Sequence, residues 1–371
     1  MRIAELEVRR YARSLDPPFR AAWDPVPRDR VEATLVIVRD DEGRAGYASG
    51  GDGLPDADAL RDLLTGLDPR RTEVVRELCE TADLHGGRPW CAEVAIWDLV
   101  ARQAGEPLWR LLGGRSERIT AYASSGELVS PEERVRRVEA LRTAGVRAVK
   151  LRFGHADWRE DVAVVEAVRD AVGTSMEIMV DANHGWRMAG DRARPWDVPE
   201  AIACARTLEP LGVYWLEEPL PTADVEGYAR LRAGTSLRIA AGEMVRSPHE
   251  ARDLVLRGGV DVVQPDVVLS GGIGGGLRIA ALAGMCGRMW SPHTWSNGVG
   301  LLANLHVAAG VGGGPYLEVP YDPPGWTPER RDFVLATPVA VGPDGMLRVP
   351  PVPGLGIELS SEARAALDAT R

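Results

Sequence analysis

Apolar and polar residues alternate at the start of the chain (Ile3, Leu6, Val8, then Ala33, Leu35, Ile37), the period of half-buried antiparallel strands. Between the two runs, Pro17 to Trp23 is rich in proline and aromatic residues and is expected to form a loop longer than a hairpin turn. From Asp56 to about Leu112 the spacing becomes helical. Ala95, Leu99 and the stretch Arg102 to Leu108 lead into LLGG, whose Gly113 and Gly114 suit a helix C-terminus. Residues 1–115 therefore read as one α+β domain.

After Ile119 short apolar runs alternate with amphipathic helical stretches, the order that implies parallel strands joined by right-handed crossovers. The runs are ITAYAS, VRAVKL, MEIMVD, VYWLEE, RIAAGE, DVVQPD, RMWSPH and PYLEV, with helical segments such as Glu132 to Ala144 and Asp161 to Val172 between them. Eight strands and seven helices predict a TIM-type barrel, modified to (β/α)7β, over residues 116–320. An open doubly wound sheet would carry a glycine-rich turn after its first strand, and none follows ITAYAS. The glycines from Gly271 to Gly276 lack the dinucleotide spacing and are expected to form a flexible loop. Residues 321–371, rich in Pro and Gly, are expected to wrap back on the first domain.

Composition narrows the partners. Across 371 residues, 44 Lys plus Arg against 54 Asp plus Glu leave a net charge of −10, which argues against a grip on a phosphate backbone. No apolar run approaches the ~20 residues of a membrane helix, and MRIAELEVRRYARSL reads as alternating strand rather than as the apolar stretch of a signal peptide, so a cytoplasmic protein with no membrane partner is expected. Cys79, Cys91, Cys204 and Cys286 are scattered, and core packing is the expected role rather than a disulfide framework or zinc site.

Chemistry gathers at the strand ends. Lys150 and Arg152 end the second barrel strand, Asp181 the third, Glu217 the fourth, Glu243 the fifth, Asp266 the sixth, His293 the seventh and Glu318 the eighth. In a parallel barrel these ends share one mouth. An isolated acid after a strand usually caps a helix, but three successive ones would repel one another unless a cation neutralised them. Hard oxygen ligands favour Mg2+ over zinc. Asp266 and His293 lie on adjacent strands, where the carboxylate would orient the imidazole and raise its basicity, with Lys150 across the barrel. His184 follows the third strand but alternation points it away from Asp181, and His85, His155, His249 and His306 read as surface or helix residues.

These residues resemble the enolase superfamily, in particular the mandelate racemase-type branch of the mandelate racemase/muconate lactonizing enzyme family. AEVAIWDLVARQAGEPLWRLLGG resembles the end of that family's capping domain, and VKLR, VDANHGW, WLEEPL, AAGE, VQPDV, SPHTW and YLEVP fall in the family's order. The resemblance implies that Asp181, Glu217 and Glu243 ligate Mg2+ and that Asp266 and His293 form the catalytic dyad. It takes Glu217, the first acid of EEP, as the ligand, and alternation also places Glu218 on the other face. It further implies that a protonated Glu318 hydrogen-bonds the developing enediolate, and that the chain forms a homo-oligomer. The lactone-forming branch carries a lysine near the sixth strand; QPDVVLSGG has none, which disfavours cycloisomerisation.

One departure directs the functional expectation. The family's second-strand motif is Lys-x-Lys with the second lysine as base, whereas this chain reads Lys150, Leu151, Arg152. Arginine stays protonated and suits carboxylate binding better than proton removal. Racemisation needs a base on each face of the carbon; β-elimination runs with His293 alone. The expected substrate is a small carboxylate, and the expected reaction is Mg2+-dependent dehydration of an acid sugar, an aldonate or aldarate, to a 2-keto-3-deoxy acid through an enediolate. The alternatives are a racemase or epimerase with Lys150 as second base, and a catalytically silent ligand-binding barrel. Loops Pro17 to Trp23 and Gly46 to Gly53 would close over the mouth, with Phe19, Trp23, Trp295 and Trp326 as candidate substrate contacts.

Overall fold

The computed structural model describes residues 1–50, 57–85, 87–191 and 194–368. The alternating N-terminal runs form β1 (Ile3–Phe19) and β2 (Arg28–Asp40), paired antiparallel, with β3 (Ala45–Ala48) on the far edge of β2. Pro17 and Phe19, expected in a loop, belong to β1. Pairing breaks after Ser14 and resumes at Phe19 opposite Arg28, so the prolines, which cannot donate to the ladder, sit in the irregularity. The loop itself is residues 20–27. Gly46 to Ala48, expected in a mobile loop, belong to the strand β3, while Gly51 to Gly53 lie outside the described residues.

Four helices follow: α1 (Ala57–Leu64), α2 (Thr72–His85), α3 (Trp90–Ala104) and α4 (Leu108–Leu111). Helix α3 is buried along most of its length because the sheet lies on one flank and the barrel on the other. It stops earlier than the expected LLGG, at Gly105, whose φ of 71° is the left-handed conformation glycine adopts without strain.

The barrel alternates β4 (Arg118–Ser124), α5 (Pro131–Thr143), β5 (Ala148–Arg152), α6 (Trp158–Val172), β6 (Glu177–Asp181), α7 (Val198–Leu208), β7 (Leu216–Glu217), α8 (Val225–Gly234), β8 (Ile239–Ala241), α9 (Pro248–Asp253), β9 (Val262–Val263), α10 (Gly272–Met285), β10 (Met289–Trp290), α11 (Gly298–Val311) and β11 (Tyr316–Pro320). Parallel pairing runs unbroken from β10 through β9, β8, β7, β6, β5 and β4 to β11. Side chains link the remaining seam, with Ser291 Oγ donating to Tyr316 O at 2.9 Å. This is the modified (β/α)7β barrel with an N-terminal cap.

Two expectations are corrected here. Gly271 to Gly276 is the start of α10 rather than a flexible loop, and it is buried because the cap presses on it. Glu93 of α3 reaches this helix end, its carboxylate accepting from Ile273 N at 2.9 Å, Gly274 N at 3.0 Å and Trp97 Nε1 at 2.9 Å. Burial outweighs these donors and Arg76, and pushes the Glu93 carboxyl up to about 7. Cys286 is exposed at the end of α10, whereas Cys79, Cys91 and Cys204 are buried, and all four are free thiols.

The C-terminal segment contributes α12 (Pro328–Arg331), β12 (Met346–Arg348), antiparallel to β4, and α13 (Ser361–Asp368). It also touches the cap: Leu355 N donates to Asp98 Oδ1 at 2.6 Å, and Gly354 and Glu106 exchange a backbone bond of 3.0 Å.

Candidate active site

Strand register assembles the site. Arg152 pairs with Asp181 across β5 and β6, and Asp181 with Glu217 across β6 and β7, so three charged side chains form one row inside the mouth. Glu243 follows β8, and ligand oxygens of Asp181, Glu217 and Glu243 all lie within 4.8 Å of one another, buried. Glu218 turns away on a φ of 44°, its Oε1 accepting from Thr222 Oγ1 at 3.2 Å.

The triad's electrostatics ask for a cation. Burial and the neighbouring charges of Asp181, Glu318 and Glu243 push Glu217 up to about 8 against the pull of Lys150. Among the described residues Glu243 Oε2 is buried with no hydrogen-bond partner, an acceptor left open toward the cluster. Three hard carboxylates with an open acceptor fit Mg2+. The opposite ends of the ligands are held by neutral donors. Trp215 Nε1 and Gln264 Nε2 donate to Glu217 Oε2 at 3.1 and 2.8 Å, and Trp186 Nε1 donates to Glu243 Oε1.

Lys150 is fully buried, its Nζ bonded to Glu217, 2.8 Å from Glu318 Oε1 and 3.4 Å from Asp181 Oδ2. Burial disfavours its charge, but Glu217, Glu318 and Asp181 outweigh that and raise its pKa. Arg152 is locked on every side. It pairs with Asp181 and donates to Ser125 O at 3.0 Å, Asn183 Oδ1 at 3.1 Å and Ser124 Oγ at 3.0 Å. Its guanidinium carbon lies 4.6 Å from the Trp23 ring centre and 5.5 Å from that of Trp295.

Opposite stands His293, whose Nδ1 lies 3.1 Å from Asp266 Oδ2 and whose Nε2 lies 3.7 Å from Glu243 Oε2. Because Asp266 accepts, the neutral ring carries its proton on Nδ1 and leaves Nε2 free to take another. Burial lowers the imidazole's basicity, but Glu243, Asp266 and Glu318 outweigh it and raise the ring to about 9. Glu318 accepts from Thr294 N at 2.8 Å. Burial opposes its charge, yet Lys150, His293 and Arg152 draw it down to about 2. It is thus held ionised, contrary to the protonated state expected for a donor to the enediolate.

Phe19 has no exposed surface and packs against Trp326 and Trp295, with ring centres 4.8 and 6.3 Å away. Trp23 is half-buried, edge-on to Trp295 at 4.7 Å, and with Asn183, His184 and Trp186 lines a cavity of about 610 Å3 between residues 20–25 and the β6–α7 loop. The His184 ring lies 4.6 Å from that of Trp196, tilted by 44°, and burial lowers it to about 4. His306 is buried, with Nδ1 accepting from Trp109 N at 3.1 Å, and burial lowers it to about 3. Trp186, Trp215, Gln264 and Asn183 were not singled out in the sequence. All four lie inside the quoted motifs or next to a predicted ligand, which is the one signal that could have found them.

The mouth of the barrel thus brings together a carboxylate triad, a lysine and a histidine–aspartate pair. The chain belongs to the enolase superfamily: the model of the "Enolase C-terminal domain-like" family matches residues 133–363. The chain is similar to the D-galactarolactone cycloisomerase of Agrobacterium fabrum, 30% identical with 98% of each chain covered. It is 32% identical to the L-talarate/galactarate dehydratase of Salmonella typhimurium, over 79% of this chain and 74% of that one. Among solved structures, a variant of an L-talarate/galactarate dehydratase liganded with Mg and L-glucarate matches with a TM-score of 0.83 and 27% identity, covering 98% of this chain and 91% of that one.

Proposed function

We propose that this protein is a Mg2+-dependent acid-sugar dehydratase acting on an aldonate or aldarate. One observation carries the reading: among the described residues, only His293 brings to the mouth a titratable nitrogen that no hydrogen-bond partner already holds. Against burial, Glu243 and Asp266 raise His293 to about 9, and its Nε2 would open as a base when Mg2+ offsets the charge of Glu243, whereas Arg152 is fully hydrogen-bonded and Lys150 is held charged by three carboxylates. Two-base racemisation lacks its second base, and β-elimination does not need one.

Asp181, Glu217 and Glu243 would hold Mg2+, which when bound supplies positive charge to the substrate carboxylate as the α-carbon becomes anionic. Lys150 and Arg152, held by the surrounding acceptors, set two fixed positive charges beside that carboxylate. His293 Nε2 takes the α-proton, and Asp266 stabilises the imidazolium through Nδ1–H. The electron pair of the α C–H bond expels the β-hydroxyl, which leaves as water with the proton His293 returns, and the enol tautomerises to the 2-keto-3-deoxy acid. The far end of the substrate lies in the cavity beside Trp23, and the aromatic lid of Phe19, Trp295 and Trp326 excludes water.

Similarity to a cycloisomerase over nearly the full chain supports a second outcome of the same steps. When the β-oxygen belongs to a ring it departs without leaving the molecule, and the product is an isomer. Incubation with Mg2+ in deuterated water and a library of aldonates, aldarates and their lactones, followed by NMR, tests the proposal. Keto acid from one member is expected. An inverted isomer without keto acid makes the protein an epimerase, and tight binding with no α-proton exchange makes it a silent barrel.

A further inference from the structure

Helix α11 is apolar on every side except at Asn304 and His306, and Asn304 is fully buried. A buried amide in such a helix is costly unless its hydrogen bonds are made. Here they are: Nδ2 donates to Asp266 Oδ1 at 2.7 Å and to Gly300 O at 3.1 Å, while Oδ1 accepts from Val267 N at 3.1 Å. These partners fix the amide's orientation. Rotating it by half a turn would set an oxygen against the Asp266 carboxylate and an N–H against the Val267 N–H.

Asp266 is thereby fixed in turn. Its Oδ1 is taken by Asn304 and by Val268 N at 3.1 Å, which leaves Oδ2 for His293 Nδ1. The short stretch after β9 that carries Asp266 has little regular structure of its own, since β9 is only Val262–Val263. Asn304 grips it twice, by the side chain of Asp266 and by the backbone of Val267. We propose that Asn304 is a positioning residue for His293: through Asp266 it sets the rotation of the imidazole and keeps the proton on Nδ1, so that Nε2 faces the α-carbon. The catalytic consequence rests on the dehydratase reading, whereas the geometric part does not.

The test uses the protein with 15N-labelled histidine and the substitution Asn304→Leu, which keeps the branched shape and removes both hydrogen-bonding ends. In the wild type the His293 Hδ1 resonance, assigned by its loss in His293→Asn, is expected downfield and slow to exchange with water. In Asn304→Leu it moves upfield and exchanges rapidly, kcat falls by about 10- to 100-fold, KM changes by less than about threefold, and Mg2+ affinity stays as in the wild type. Should the leucine variant fail to fold, Asn304→Ser, which removes the contact without adding bulk, is read in the same way. A wild-type Hδ1 resonance in the variant overturns the proposal, as does a kcat within twofold of wild type. If the wild type turns over no acid sugar, the function proposed above fails, and the resonance alone still decides whether Asn304 positions His293.

Discussion

Glu93 gives the cap-to-barrel contact a pH signature. Its carboxyl is fully buried between α3 and the start of α10, and burial raises it from its ordinary 4.5 to about 7 in spite of three N–H donors. For an acid raised on folding, the unfolded chain gives up its proton first. Between pH 4.5 and 7 the folded state binds more protons than the unfolded one, so rising pH favours unfolding until both forms are ionised. The rise to about 7 is worth ~3 kcal/mol, fully lost above pH 7 and absent below 4.5. Glu93→Gln keeps the shape and one acceptor oxygen but cannot ionise. Urea unfolding of both proteins at pH 5 and pH 8 isolates this residue, because the other titrating groups, including buried Asp98, cancel in the comparison. The variant should gain ~2.5 kcal/mol relative to the wild type on going from pH 5 to pH 8. Parallel pH dependences would refute the reasoning and mean that the three donors hold Glu93 ionised throughout.

Further outcomes follow from the triad and the dyad. Glu243→Gln should abolish tight Mg2+ binding in isothermal titration calorimetry, and an unchanged affinity removes Glu243 from the ligand set. Gln264→Leu, which deprives Glu217 Oε2 of a donor at 2.8 Å, should weaken Mg2+ by about 10- to 100-fold, and a shift below twofold denies Gln264 any role in aligning the ligand. His293→Asn should stop α-proton exchange while sparing Mg2+ binding and the fold; exchange at the wild-type rate takes His293 out of the mechanism.

The barrel and its charged residues were legible because a parallel barrel converts a one-dimensional rule, a charged residue at each apolar run's end, into a three-dimensional cluster. Arg152, Asp181 and Glu217 meet because strand register carries them to the same level. What the sequence hides lies where partners come from other elements. Nothing near Glu93 announces that it will meet the N-terminus of α10, 180 residues further on. The glycines there looked like a loop because glycine is a poor helix former. They are in the helix because a Cβ at Gly272 would strike the Glu93 carboxylate and one at Gly276 would strike Val267, 2.7 Å away. Asn304 was equally silent, a lone amide in an apolar helix. Pro17 read as a loop because pattern alone does not show a strand resuming beyond an irregularity.

The contacts between α3 and the C-terminal segment bear on how the chain is made. Asp98 is fully buried, and one of its oxygens accepts from Leu355 N, 257 residues later, while Arg102 on the same helix reaches Ile357 O at 3.0 Å. During synthesis the first helices and sheet emerge long before those partners exist. Helix α3 is therefore completed by residues made about 250 positions later, and until they emerge Asp98 has no Leu355 N–H to accept from.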